Sequence, residues 1–278
     1  MPVMSGSGWA VEGRALELSF GGLVALAASD FQFPASGVTA VIGPNGSGKS
    51  TVLAAVAGLH RPSAGEIVVL GDTPRQSQPR VAFVPQSTKV NDALPVTVRE
   101  VVSMGRYAAL GLIGRFVAAD RTAVDQALQR LDLMDLSHRH LRELSGGQRQ
   151  RVFVAQGLVQ DRQLLLMDEP TSALDLVSSA VIESVIDEER LTGRPLAVTT
   201  HDLGDAQRAD HVVLLANRVV AEGPPESVLT AAHLSEAYRF DVTEVGGRLA
   251  FDDPAHAPAG GRHTHVEPPD PAPPRPGR

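Results

Sequence analysis

The nine residues Gly43-Pro-Asn-Gly-Ser-Gly-Lys-Ser-Thr51 constrain this chain more than any other stretch. They follow an unbroken apolar run, Val38 to Ile42, and precede a helical pattern that extends to about His60. Strand, glycine-rich loop and helix in that order make a phosphate-binding unit. Glycines let the backbone curl until successive N–H groups point inward, and the helix adds the positive end of its dipole. Lys49 is placed to reach the β- and γ-phosphates of a nucleotide, and Ser50 to offer its hydroxyl to a Mg²⁺ ion bridging them. With 26 glycines in 278 residues, a chance match to the whole pattern has odds of about two in a thousand. Gly43, Pro44, Asn45, Gly46, Ser47, Gly48, Lys49, Ser50 and Thr51 are therefore the candidate nucleotide contacts.

A phosphate loop alone leaves switches, kinases and helicases open. The run Leu164-Leu-Leu-Met-Asp-Glu-Pro170 narrows the choice. It reads as a buried strand ending in two carboxylates, so that Asp168 emerges at the carboxyl edge of the sheet, where ligands of open α/β sheets bind. Asp168 is expected to belong to the Mg²⁺ shell. Glu169, one residue on, is expected to face the γ-phosphate, where a carboxylate can take a proton from water. An acidic pair at a strand end is by itself more often a helix cap or a solvated turn; the phosphate loop in the same chain reverses those odds.

Around these motifs, β-rich runs alternate with helical patterns: Leu16 to Phe20, Val38 to Ile42, Glu66 to Leu70, Val81 to Val84, Leu164 to Met167, Leu196 to Thr200 and Val212 to Leu215. This is an α/β reading, and the runs without polar alternation are those of a parallel sheet covered on both faces. Val96 to Gln160 has no comparable strand and reads as a helical insertion, with Ala119 to Leu131 at helical spacing. Asp252 to Arg278 is rich in proline and reads as a solvated tail, deletion of which should leave activity unchanged. Its His263 and His265 are too few for a structural zinc site, which takes four ordered ligands. No apolar run approaches the roughly 18 residues of a membrane span, no signal-peptide pattern opens the chain, and cysteine is absent, so a cytoplasmic location is expected. A net charge of −7 offers no basic footprint, and no nucleic-acid partner is expected.

Leu144-Ser-Gly-Gly-Gln148, continued by Arg149-Gln-Arg-Val152, resembles the signature sequence of ABC ATPases. The resemblance covers roughly Arg14 to Phe240, with the motifs in family order. It implies an α/β fold with a P-loop NTPase (RecA-like) core, an antiparallel β subdomain and an inserted α-helical subdomain. The division it suggests is an N-terminal extension 1–13, an ATPase domain 14–245 with the insertion at about 87–160, and the tail 252–278. From the residues alone, Ser145 can cap a helix whose first turn presents N–H groups at Gly146 and Gly147. The resemblance adds that Ser145, Gly146, Gly147 and Gln148 close over ATP held by a second copy, so that two ATP molecules, each with Mg²⁺, are sandwiched in a head-to-tail dimer.

Other positions follow from the same resemblance. Gln86 looks like the Q-loop glutamine that touches Mg²⁺ and water, Ser172 to Asp175 like the D-loop that crosses the dimer interface, and His201 like the switch histidine at the γ-phosphate. Phe20 corresponds to the aromatic that stacks on adenine, where most members carry tyrosine. One phosphate loop, one signature and no span imply a separate ATPase subunit of an importer, peripheral on the inner face of the membrane. Its partners would be a second copy of itself, an integral membrane permease and, indirectly, a solute-binding protein. Val84 to Arg106 and Asn217 to Pro225 are similar to the branch that takes up manganese, zinc and iron. Import of another substrate such as a siderophore, or a non-transport ABC ATPase, are the alternatives.

Overall fold

The computed structural model describes residues 8–86, 95–110, 114–239, 242–245 and 248–251. The tail 252–278, the stretch 87–94 that follows Gln86, and residues 1–7 of the N-terminal extension lie outside the described residues.

The chain opens with a long hairpin, β1 (Trp9–Phe20) and β2 (Leu23–Pro34), turned by Gly21 and Gly22 at positive φ. β3 (Val38–Ile42) runs through the phosphate loop into α1 (Lys49–Val56), and β4 (Ala64–Val69), the short α2 (Pro74–Ser77) and β5 (Val81–Val84) follow. The insertion is helical: α3 (Val98–Leu110), α4 (Ala118–Arg130) and α5 (Gly146–Leu158). The core resumes with β6 (Leu164–Asp168), α6 (Leu176–Leu191), β7 (Leu196–Thr200), α7 (Leu203–Arg208), β8 (His211–Leu215) and β9 (Val219–Gly223). Then come α8 (Pro225–Val228), α9 (Ala231–Tyr238), β10 (Val242–Val245) and β11 (Arg248–Phe251).

Local sequence explains several boundaries. Thr97 and Glu100 form a reciprocal cap at the start of α3: the Thr97 N–H donates to Glu100 Oε2 (2.7 Å) and the Glu100 N–H to Thr97 Oγ1 (3.3 Å). Asp175 caps α6 by accepting from the Ser178 N–H at 2.9 Å.

Among the described residues, six strands form one sheet in the order β5-β6-β7-β3-β8-β9, parallel except for β9, which runs antiparallel to β8. Alternate side chains of its strands enter two different cores. Ala40, Ile42, Met167 and Val198 face α3, α5 and α6, whereas Val41, Leu166, Ala197 and Val213 face α1 and a separate antiparallel sheet ordered β2-β1-β4. Each such Leu or Val, removed from water, contributes about 1.5–3 kcal/mol. The helical insertion is tied to the core by Arg130, which pairs with Glu188 (2.8 Å) and the buried Glu189 (2.7 Å) of α6.

One boundary and, within the two larger sheets, two strands depart from the expectation. β1 begins at Trp9, with Ala10 and Val11 buried, so folded structure starts inside the stretch 1–13 read as an extension. β2 escapes period-2 reading because its buried positions, Leu26, Ser29, Phe31 and Phe33, change phase midway, where the pairing with β1 is irregular. β9 is a short, half-buried edge strand without alternation.

Candidate active site

The phosphate loop is shaped by contacts that only glycine permits. Gly43 has φ 150°, and a Cβ there would lie 2.1 Å from the Leu215 carbonyl oxygen. Gly48 has φ 99°, and its Cβ would meet the Ala25 carbonyl at 2.6 Å. Gly48 also precedes α1, and no side chain caps that helix. Its first-turn N–H groups are therefore left for an anion. Lys49 is 5% exposed, and its ammonium donates to the carbonyls of Gly43 (2.8 Å) and Pro44 (3.2 Å), so the loop curls around its own cation. Burial pushes the Lys49 pKa below the usual lysine value; the charges of Glu169 and Asp168 oppose that shift.

Parallel pairing of β6 with β7 sets Asp168 opposite Thr199. Asp168 Oδ1 accepts from Thr199 Oγ1 at 2.6 Å and from Ser50 Oγ at 3.0 Å, which joins the strand-end carboxylate to the first turn of α1. Glu169 has φ 45°, in the left-handed region that costs an L-residue about 1–2 kcal/mol. Its N–H donates to Thr199 Oγ1 at 2.7 Å. The turn brings its carboxylate between two partners: Gln86 Nε2 donates to Oε2 at 2.6 Å, and Lys49 Nζ stands 3.8 Å from Oε1.

An open cleft of about 860 Å³ is lined by Gly43 to Thr51 together with Gln86, Glu169, Ser172 and His201. Sequence reading assigned nearly all of these. It did not anticipate Ala25 and Tyr238, which also line the cleft, nor the buried Thr199 that bridges the two acidic residues. Thr199 carries no motif of its own; its role follows from strand adjacency. Phe20 stands apart from the cleft lining, 73% exposed at the tip of the β1–β2 hairpin, with its ring 6.0 Å from that of His60. Ser145, Gly146, Gly147, Gln148 and Asp175 are also outside the lining. Ser145 does cap α5, as its sequence suggests: Oγ accepts from the Gln148 N–H at 3.2 Å, while the Ser145 N–H donates to Gln148 Oε1 at 3.0 Å.

The donor set suits Mg²⁺. That ion keeps most of its waters and takes one or two protein oxygens plus phosphates, and Asp168 and Ser50 offer a carboxylate and a hydroxyl already within 3.0 Å of each other. Among the described residues, no cluster of three His, Asp or Glu side chains could hold a metal by itself, and no helix is long and apolar enough to cross a membrane.

The ABC transporter family model matches residues 26–172. The zinc transport system ATP-binding protein TroB of Treponema pallidum is 37% identical over 251 residues, 90% of this chain and 92% of that protein. The manganese transport system ATP-binding protein MntB of Bacillus subtilis is 36% identical over 221 residues, 79% of this chain and 86% of that one. Among solved structures, an inward-facing metal-chelate type ABC transporter superposes with a TM-score of 0.72 at 26% identity, covering 87% of this chain and 96% of its counterpart.

Proposed function

The chain belongs to the ABC transporter family as an ATP-binding, ATP-hydrolysing subunit, and from that premise we propose that it powers an importer of a divalent transition metal, zinc or manganese ahead of iron. The observation that carries the substrate class is the likeness to zinc and manganese transport subunits over most of the chain, including 90% of it for TroB. The protein works on the cytoplasmic side of the membrane against an integral permease, which receives its cargo from a solute-binding protein.

In this reading, Lys49 and the N–H groups at the head of α1 hold the β- and γ-phosphates of ATP. Ser50 and Asp168 hold Mg²⁺, which when bound neutralises charge on the phosphate oxygens. Gln86 fixes the Glu169 carboxylate from one side, and the turn at φ 45° aims it into the cleft. Glu169 takes a proton from water as the water oxygen bonds to the γ-phosphorus; the bond from that phosphorus to the β–γ bridging oxygen breaks, and ADP leaves. His201, exposed at the end of β7, contacts the γ-phosphate. Phe20 supplies a ring for adenine. The site is completed by Ser145 to Gln148 and Asp175 of a second copy, in a head-to-tail dimer that ATP closes and hydrolysis reopens.

Disruption of the subunit should stop growth under metal chelation, and one added metal, zinc or manganese, should restore it. Normal growth without metal, combined with failure on a particular sugar, amino acid or siderophore, would overturn the metal assignment and leave the ATPase intact.

A further inference from the structure

Asn217 sits in the turn between β8 and β9, a turn that no phosphate-binding motif includes. We propose that it is a positioning residue for phosphate binding, holding the loop peptides in the orientation that serves the nucleotide. Its φ of 57° lies in the left-handed region that asparagine tolerates better than most residues. From there it makes four contacts in three directions. Its N–H donates to the Ser47 carbonyl at 3.2 Å, and its side-chain amide donates to the Gly46 carbonyl at 3.1 Å and to the Ala25 carbonyl at 3.4 Å. Its own carbonyl accepts from the Ala27 N–H at 2.7 Å.

The consequence follows from peptide geometry. In a planar trans peptide the C=O and the next N–H point in opposite directions. Holding the Gly46 and Ser47 carbonyls toward the turn therefore aims the Ser47 and Gly48 N–H groups away from it. The Ser47 N–H closes the loop on the Pro44 carbonyl at 3.2 Å, and Gly48 lines the cleft at the entrance to α1. The Leu215 carbonyl, at the end of β8 just before the turn, stands where a Cβ on Gly43 would lie, so this part of the chain approaches the phosphate loop at its start as well. Contacts to Ala25 and Ala27 extend the brace to β2, placing Asn217 where the antiparallel sheet, the parallel sheet and the loop meet.

Asn217→Gly tests this on the full chain, because glycine keeps the left-handed turn and removes only the amide. The dissociation constant should rise about tenfold for ATP and by the same factor for tripolyphosphate, a probe without a base, as expected for loss of one or two hydrogen bonds that orient the loop. KM for ATP should follow while kcat stays within about twofold, and the nucleotide-free melting temperature should move by less than about 3 °C. Asn217→Asp keeps both volume and turn but sets a carboxylate against two carbonyl oxygens, so its loss of affinity should exceed that of the glycine variant. Unchanged affinity in both variants would overturn the proposal. So would a loss confined to ATP with tripolyphosphate unaffected, which would place the action of Asn217 on the base side, or a fall in kcat at constant KM.

Discussion

Two helices of this chain begin on glycine-rich sequence and meet opposite circumstances. α1 has no side-chain cap; Lys49 is buried under its entrance, and β2 and the β8–β9 turn wrap the loop that feeds it. α5 supplies its own cap through Ser145 and Gln148. Its two glycines differ as well. A Cβ on Gly147 would come within 2.4 Å of Ser178 Oγ and 2.6 Å of Asp175 Oδ2, whereas a Cβ on Gly146 would meet nothing within 4 Å. Gly147 is thus required by packing inside the chain, against the capped start of α6, and Gly146 is not. The donors of α1 converge with Glu169, Gln86 and His201 on one cleft, and the head of α5 does not reach that cleft. Side chains from several elements enclose the head of α1, whereas the head of α5 carries its own cap and leaves Gly146 open; we assign the first to ATP held within the chain and the second to the ATP of a second copy.

The largest effect should come from Lys49→Ala. Removing the buried cation that holds the Gly43 and Pro44 carbonyls should abolish ATP binding or bring turnover to background, and hydrolysis at the normal rate would break the assignment of α1 as the phosphate site. Glu169→Gln comes next. The amide keeps an oxygen for Gln86 but accepts no proton, so ATP binding should persist while hydrolysis falls by about 10²- to 10⁴-fold. Size-exclusion chromatography with ATP and Mg²⁺ should then show a dimer, and a monomer with unaltered turnover would remove the general base.

The glycine pair tests α5 directly. Gly147→Ala should cost about 1–3 kcal/mol through overpacking against Ser178 and Asp175, read as a drop in melting temperature. Gly146→Ala should leave the melting temperature unchanged and lower ATP turnover and nucleotide-driven dimerisation; equal stability losses in both variants would erase the distinction between the two glycines. The smallest effect concerns acid. His211 opens β8, the strand that leads to the turn under the phosphate loop, and burial holds its pKa below the usual histidine value, opposed by a hydrogen bond that the ring donates to the Gln32 backbone carbonyl. As pH falls through about 6.5 the unfolded chain takes up this proton first, so stability should decline from there down to the lowered folded value. His211→Phe should flatten that part of the profile, and an identical profile in the variant would clear His211 of the effect.

Most of the cleft was legible in the sequence because its chemistry sits in contiguous runs. Gly43 to Thr51 and Asp168-Glu169 each carry their own geometry, a loop between strand and helix and a strand end, and the structure brings them together, Glu169 in the cleft lining and Asp168 through its hydrogen bond from Ser50. Ser145 declared its cap in the same way. Elements without a local signature were not readable: β2 changes phase at an irregular pairing, β9 is an edge without alternation, and the start at Trp9 shows only in the burial of Ala10 and Val11.

Composition, motif order and residue type by themselves determined that the chain is an α/β nucleotide-binding protein with a helical insertion, and singled out the loop that we assign to the phosphates. Those properties depend on neighbours in sequence, where 3.6- and 2-residue periods and glycine positions act directly. Only the tertiary structure decided that Thr199 bridges Asp168 and Glu169, that Asn217 braces the loop from 171 residues away, and that Gly147 rather than Gly146 is locked by packing. Each of these depends on which strands lie side by side and how closely two backbones approach. Adjacency of that kind is set by how the whole core closes, so no single window of sequence contains it.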